Sequence, residues 1–273
     1  MVTTGDVVRI AAMSDIHYGK ATQGKLHDAF IRVNEHADVL LICGDLTDYG
    51  LPEEAKVLAK DLAAVRVPIV AVLGNHDYES GQEGEVTRIL GDAGVRVLDG
   101  DSVEFHGIGF AGVRGFCGGF GRGALGAWGE RVIKQFVHEA IEEALKLENA
   151  LAKLRTDSKI ALLHYAPIPQ TVEGEPLEIY AFLGSSRLEE PLTRYPVNAV
   201  FHGHAHRGTV EGVTTTGIPV YNVCQTLLES RFPDRPPFWL MEVPRKAPET
   251  APQPPRVERR QSGGRRAADR VEG

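Results

Sequence analysis

Cysteine is scarce in this chain: Cys43, Cys117 and Cys224 stand singly among 273 residues. An odd number without a CxxC pair argues against a disulfide framework or a cysteine-built zinc site, and it fits a reducing compartment. Long apolar runs are lacking as well, since no stretch reaches the roughly 18 residues of a membrane-spanning helix. The opening MVTTGDVVRIAAMSDIHYG meets acidic residues and a histidine before any apolar block, so it has neither the basic nor the hydrophobic region of a signal peptide. A cytoplasmic protein is expected. Net positive charge is missing too, with 30 Lys and Arg against 37 Asp and Glu. That balance argues against a chain built around nucleic acid or an anionic membrane. Small anionic substrates stay open, because a bound metal reverses the local field.

What is present is enough apolar material, 42% of the residues, for a full-sized core in one large domain or two small ones. Short apolar runs at 7–13, 39–43, 69–73, 160–163, 198–201 and 220–223 read as buried strands. Helical periodicity covers 23–36, 52–65 with Pro52 in its first turn, 83–93 and 130–154. The alternation predicts an α/β fold with interior sheets. Segments 103–105, 107–113, 208–213 and 238–243 read as antiparallel strands, so the sheets are expected to be mixed. The glycine-rich stretch 112–129, with Phe116, Phe120 and Trp128, suits a mobile loop near a site. From Arg245 the composition turns to Pro, Arg, Gly and Ala. Residues 1–244 are therefore expected to form the folded domain, and 245–273 a disordered basic tail of net charge +4.

The chemistry gathers at the ends of the predicted strands. Asp15 and His17 follow the first, Asp45 the second, Asn75 and His76 the third, His164 the fourth, and His204 with His206 the fifth. Open α/β sheets bind ligands at their strand carboxyl ends, so residues this far apart in sequence are able to converge. Asp15 and His17, like His204 and His206, are two apart, and on extended chain both members of each pair point the same way. Glycines beside them (Gly44, Gly74, Gly203) permit tight turns at the strand tips. The donors are oxygen and imidazole without thiolate, a set suited to manganese, iron, zinc or similar divalent ions. His27, His36, His106 and His138 lack such a context and are assigned to surface or core. Cys43 is read as inert packing, and His202 as a buried, hydrogen-bonded neighbour.

Singly these motifs are weak; in this order, DIH at 15–17, GDLTD at 44–48, GNHD at 74–77, the isolated His164 and GHAH at 203–206 resemble the five motifs of the calcineurin-like metallophosphoesterase superfamily. The resemblance spans about residues 8 to 225. It implies two mixed β-sheets packed as a sandwich flanked by helices, with two divalent metal ions at one edge. Manganese or iron is expected there, with zinc, nickel or cobalt as alternatives. It also implies that Asp15, His17, Asp45 and His206 hold one ion. Asp45 would bridge to the second, completed by Asn75, His164 and His204. His76 would sit beside the substrate phosphate as proton donor or transition-state stabiliser, and Asp48 and Asp77 would orient such groups. Tyr165 and Arg207 are candidates to reach the substrate.

The activity this implies is hydrolysis of a small phosphoester by a hydroxide that bridges the metals. Departures from subgroup patterns narrow the substrate. GDLTDYG and GNHD differ from the GDxxDRG and GNHE of the serine/threonine phosphatases. Asp48 stands where purple acid phosphatases carry a tyrosine ligand. No ordered length remains for the DNA-binding module of the repair nucleases. A small phosphodiester is therefore the expected substrate, with cyclic nucleotides among the candidates. A phosphomonoesterase, a nucleotide pyrophosphate hydrolase and a non-catalytic metal-binding scaffold are the alternatives.

Overall fold

The computed structural model describes residues 7–245. The tail expected from composition lies outside the described residues, apart from Arg245. The strands are β1 (Val7–Met13), β2 (Val39–Cys43), β3 (Ile69–Val72), β4 (Val95–Val97), β5 (Asp101–Phe105), β6 (Ile108–Gly112), β7 (Ser158–Leu162), β8 (Ala199–His202), β9 (Glu211–Val213), β10 (Pro219–Asn222) and β11 (Trp239–Pro244). The helices are α1 (His27–His36), α2 (Pro52–Leu62), α3 (Glu83–Asp92), α4 (Arg131–Lys153), α5 (Tyr180–Leu183), α6 (Glu189–Arg194) and α7 (Gln225–Arg231).

Two mixed sheets result, in the orders β11-β1-β2-β3-β4 and β5-β6-β7-β8-β10-β9. In the first, β1 to β4 are parallel and β11 is antiparallel to β1. In the second, β6, β7, β8 and β10 are parallel, with β5 and β9 antiparallel on the two edges. The segment around 107–113 thus pairs antiparallel on one side only, because the α4 crossover returns the chain parallel to it.

Strand alternation divides the core into layers. Ile10, Ala12, Leu41 and Cys43 face the other sheet and meet Phe110, Leu162 and Phe201. Ala11, Met13, Leu40 and Ile42 face the opposite way, onto Phe30 and Val33 of α1 and Leu58 of α2. The outer face of the second sheet (Ala111, Ala161, Val200) packs on Leu147 and Leu151 of α4 and Leu192 of α6. Strands buried on both faces explain why runs such as VLLIC are continuously apolar. Burying both faces also leaves the strand ends as the places where polar chemistry is admitted. Among the described residues, no helix is long and apolar enough to cross a membrane.

Local sequence sets the helix ends. At α2, Pro52 stands in the first turn, and the Glu54 carboxylate accepts from the backbone N–H groups of Tyr49 (2.9 Å) and Leu51 (3.3 Å). The helix expected over 23–36 starts only at His27, because the preceding turn is tied down: Asp61 accepts from Gly24 N–H (2.6 Å) and from the Tyr18 hydroxyl (2.8 Å). The glycine-rich segment also departs from expectation, for its first half is packed. Val113 and Cys117 are buried, and Gly118 and Gly119 N–H donate to the carbonyls of Ala181 (2.8 Å) and Gly184 (2.9 Å). Beyond Phe120 it is exposed or half-buried to Gly129.

Candidate metal centre

The loops after β1 and β2 are zipped together. Asp15 N–H donates to Gly44 O, His17 N–H to Asp45 O and Tyr18 N–H to Leu46 O, each at 3.0 Å. This pairing brings the two carboxylates onto one edge of the sandwich. The backbone bends strongly there, with φ of 56°, 42° and 49° at Asp15, His17 and Asp45, and His204, in the loop after β8, has φ of 69°. Among the described residues only one other non-glycine residue, His106, has positive φ. Left-handed backbone at four of the candidate site positions is strain, retained where these side chains converge.

The glycines beside these residues serve close approach more than turning. A Cβ at Gly44 would fall on the His164 ring, one at Gly74 on the Asp45 carboxylate and one at Gly203 on Asp15. Only Gly44 of the three also has positive φ, 89°.

All eight residues expected at the site close a circuit. His206 Nε2 lies 3.0 Å from Asp15 Oδ1, and Asp15 in turn accepts from His204 N–H (3.0 Å). The His204 and His164 rings are 4.9 Å apart. His164 Nε2 faces Asn75 Oδ1 at 2.9 Å and Asp45 Oδ1 at 3.4 Å. Asp45 Oδ2 lies 3.9 Å from His17 Nε2, and the His17 ring meets those of His76 (4.7 Å) and His206 (5.7 Å). Asp45 belongs to two donor clusters, one with His17 and His76, the other with His164 and His204.

The hydrogen bonds behind the rings choose which nitrogen faces inward. His164 Nδ1–H donates to Cys43 O (3.0 Å), His204 Nε2–H to Phe182 O (3.1 Å) and His76 Nδ1–H to Asp48 O (2.8 Å). A backbone carbonyl that fixes the tautomer is the usual support of an imidazole ligand. With Nδ1 committed, neutral His164 would aim a lone pair at the oxygens of Asn75 and Asp45. A proton or a cation between the nitrogen and the two oxygens reconciles that arrangement, so the donors fit a metal ion.

Protons play that part without metal. Burial alone would lower the His164 pKa, but the Asp45 carboxylate overrides it and holds the group up at about 9. His206 is raised by its hydrogen bond to Asp15. Burial would raise Asp15, yet the His206 and His164 imidazoles keep it well below the usual carboxylate range. His204 is pushed down to about 4 by burial, so it is neutral near pH 7. Cys43, deep between the sheets, has its thiol raised by burial and is inert packing, as expected.

Asp77 locks the two loops from beneath. Fully buried, it accepts from Leu46 N–H (3.2 Å), Thr47 N–H (2.8 Å), Thr47 Oγ1 (2.6 Å) and Gly74 N–H (2.8 Å). Burial, then the Asp45 charge, raises it to about 6. Replacing Asp77 with alanine strands these donors and is expected to cost about 3 kcal/mol in denaturant unfolding. Unchanged stability would show that the donors find other partners.

Two neighbours of the site are not singled out from the sequence, Cys224 and Phe182. Cys224, just past β10, shares a donor cluster with Asp15 and His206. Its place at a strand end is the available clue. Phe182 contributes only its carbonyl, which no motif records. Of the substrate-reaching candidates, Tyr165 lies with its ring 4.5 Å from that of His204, while Arg207 is exposed and donates its N–H to Glu175. His202 is buried against Thr171 Oγ1 (2.7 Å), and His27, His36, His106 and His138 are on the surface.

Residues 8–208 match the family described as calcineurin-like phosphoesterase. The chain is 23% identical over 223 residues to a probable glycerophosphodiester phosphodiesterase GpdQ of Arcobacter nitrofigilis, spanning 72% of this chain and 71% of that one. It is 33% identical over 82 residues to the glycerophosphodiester phosphodiesterase GpdQ of Enterobacter lignolyticus, spanning 25% of this chain and 29% of that one. Among solved structures, phosphopantetheinyl hydrolase (PptH) from Mycobacterium tuberculosis aligns with a TM-score of 0.61 at 16% identity over 90% of this chain and 100% of that one. TT1561 of Thermus thermophilus aligns with a TM-score of 0.52 at 16% identity, over 88% and 100%. At such identities the structural likeness shows the fold alone.

Proposed function

This chain belongs to the calcineurin-like phosphoesterase family, and from that premise we propose that it is a dinuclear-metal phosphodiesterase acting on a small phosphodiester. The observation that carries the reading is the position of Asp45, shared between two donor clusters at one sheet edge. Asp15, His17, Asp45 and His206 would hold one ion, and Asp45, Asn75, His164 and His204 the other. Oxygen and imidazole donors favour manganese or iron, with zinc, nickel and cobalt also compatible. Divalent ions in such a site supply Lewis acidity toward phosphoryl oxygens and a water acidic enough to attack phosphorus near neutral pH.

The chain's own residues do the rest. Asp48 O fixes the His76 tautomer, so Nε2 is the nitrogen left for the substrate. Protonated there, it would give its proton to the departing oxygen as that phosphorus–oxygen bond breaks, while the attacking water forms the new phosphorus–oxygen bond as hydroxide, its other proton passing to solvent. His76 N–H also donates to Asp45 Oδ1 (2.9 Å), which ties the acid to the shared carboxylate. The named activity of both GpdQ relatives supports a diester over a monoester and places glycerophosphodiesters beside cyclic nucleotides as candidates. Three free, buried cysteines accord with a reducing, cytoplasmic setting.

The test is hydrolysis of bis-p-nitrophenyl phosphate beside p-nitrophenyl phosphate by metal-stripped protein, with manganese, iron, zinc, nickel or cobalt restored singly. Metal-restored turnover favouring the diester is expected. Preference for the monoester would replace the reading with a phosphatase.

A further inference from the structure

Residues 172–183 form a strap along the loop that carries His204 and His206. It is stitched there at three points: Phe182 O accepts from His204 Nε2–H (3.1 Å), Glu175 Oε1 from Arg207 N–H (2.7 Å) and Glu173 O from the Thr209 hydroxyl (2.9 Å). The strap has its own inward anchors, since Val172 and Leu183 are buried with Ala166 and Ala205. Its remaining large apolar side chains turn outward. Leu177 is 76% exposed, Phe182 57% and Ile179 39%. Isolated apolar residues on a surface are ordinary. Three within six positions are not, when the segment already has its packing residues and one of the three supplies the carbonyl that orients a site histidine. Exposed apolar clusters of this kind mark ligand or partner contacts.

Charge selects the occupant. From Thr171 to Ser186 the chain carries Glu173, Glu175 and Glu178 and no Lys or Arg. Such a strap repels anionic headgroups, whereas an uncharged hydrocarbon is indifferent to it. The strap touches the donor circuit, where phosphate chemistry is placed, through the Phe182 carbonyl on His204. We propose that Leu177, Ile179 and Phe182 seat an alkyl or acyl chain carried by the scissile phosphodiester, so that the substrate class is an amphiphilic phosphodiester with one long apolar arm. This rests on the phosphodiesterase reading above.

The test uses the metal-reconstituted full chain with p-nitrophenyl methyl phosphate and p-nitrophenyl octyl phosphate, the latter kept monomeric. In the wild type, kcat/KM for the octyl ester should exceed that for the methyl ester by at least about tenfold, since each buried methylene contributes up to about a factor of four. In Leu177→Ser and in Phe182→Ser that ratio should fall toward one; reading a ratio removes any common change in rate. Calorimetric binding of octyl phosphonate against methyl phosphonate should give the same pattern without turnover. A wild-type ratio near one overturns the proposal, as does a high ratio that both variants keep. Tight association with phosphatidylglycerol vesicles and no chain-length dependence would assign the strap to a membrane surface instead. Absence of turnover with both esters, metals bound, would overturn the phosphodiesterase reading and this proposal with it.

Discussion

Asp45→Ala is expected to lower kcat by at least about 10³-fold, the scale on which a single well-placed electrostatic group acts in catalysis. No other side chain in the circuit has so many obligations. One Asp45 oxygen accepts from His76 N–H and faces His164, and the other faces His17. Removing it deprives both donor clusters of their common member, so bound metal per chain should fall together with turnover. The fold should survive, because the buried Asp15 and Asp45 charges oppose one another and the variant relieves that repulsion. A second readout separates loss of chemistry from loss of structure. Asp45 is what holds the His164 pKa up near 9, so in the metal-free variant the His164 imidazole should titrate at markedly lower pH. Full activity of Asp45→Ala, with metal content unchanged, would remove the basis of the assignment.

His76→Gln is expected to act differently. Loss of a general acid typically costs about 10²- to 10⁴-fold in rate, yet here the metal content should stay at the wild-type value. His76 lies within reach of the His17 and Asp45 donors, so a ligand role is the competing interpretation. The leaving group decides between them. An alkoxide needs a proton on departure and p-nitrophenolate scarcely does, so the variant should lose far more activity toward alkyl diesters than toward nitrophenyl ones. Equal losses on both, with reduced metal content, would make His76 a ligand.

The site is legible where strand burial and strand ends coincide. Buried apolar residues make up most of β1, β2, β3, β7 and β8, and within three residues of their carboxyl ends stand Asp15, Asp45, Asn75, His164 and the start of the GHAH segment. Even the solitary His164 is marked by its place. Less legible is whatever depends on pairing between distant segments. Periodicity announces β6 but not that α4 makes it parallel to β7. The glycine-rich stretch reads as free because glycine has no side chain to pack, whereas its backbone is held by Ala181 and Gly184. The helices α6 and α7, six and seven residues long, are too short for a helical period to register. The left-handed backbone at Asp15, His17 and Asp45 accompanies the zipping of the β1 and β2 loops, and that at His204 accompanies its N–H bond to Asp15, both contacts between segments far apart in sequence.

The central claim is that catalysis belongs to a two-ion site built by these residues. Its most direct test is titration of metal-stripped protein with manganese, following bound metal and bis-p-nitrophenyl phosphate hydrolysis in the same samples. Turnover should be absent at the start, rise with added metal and level off at two ions per chain. Full turnover by the metal-free protein would contradict the account.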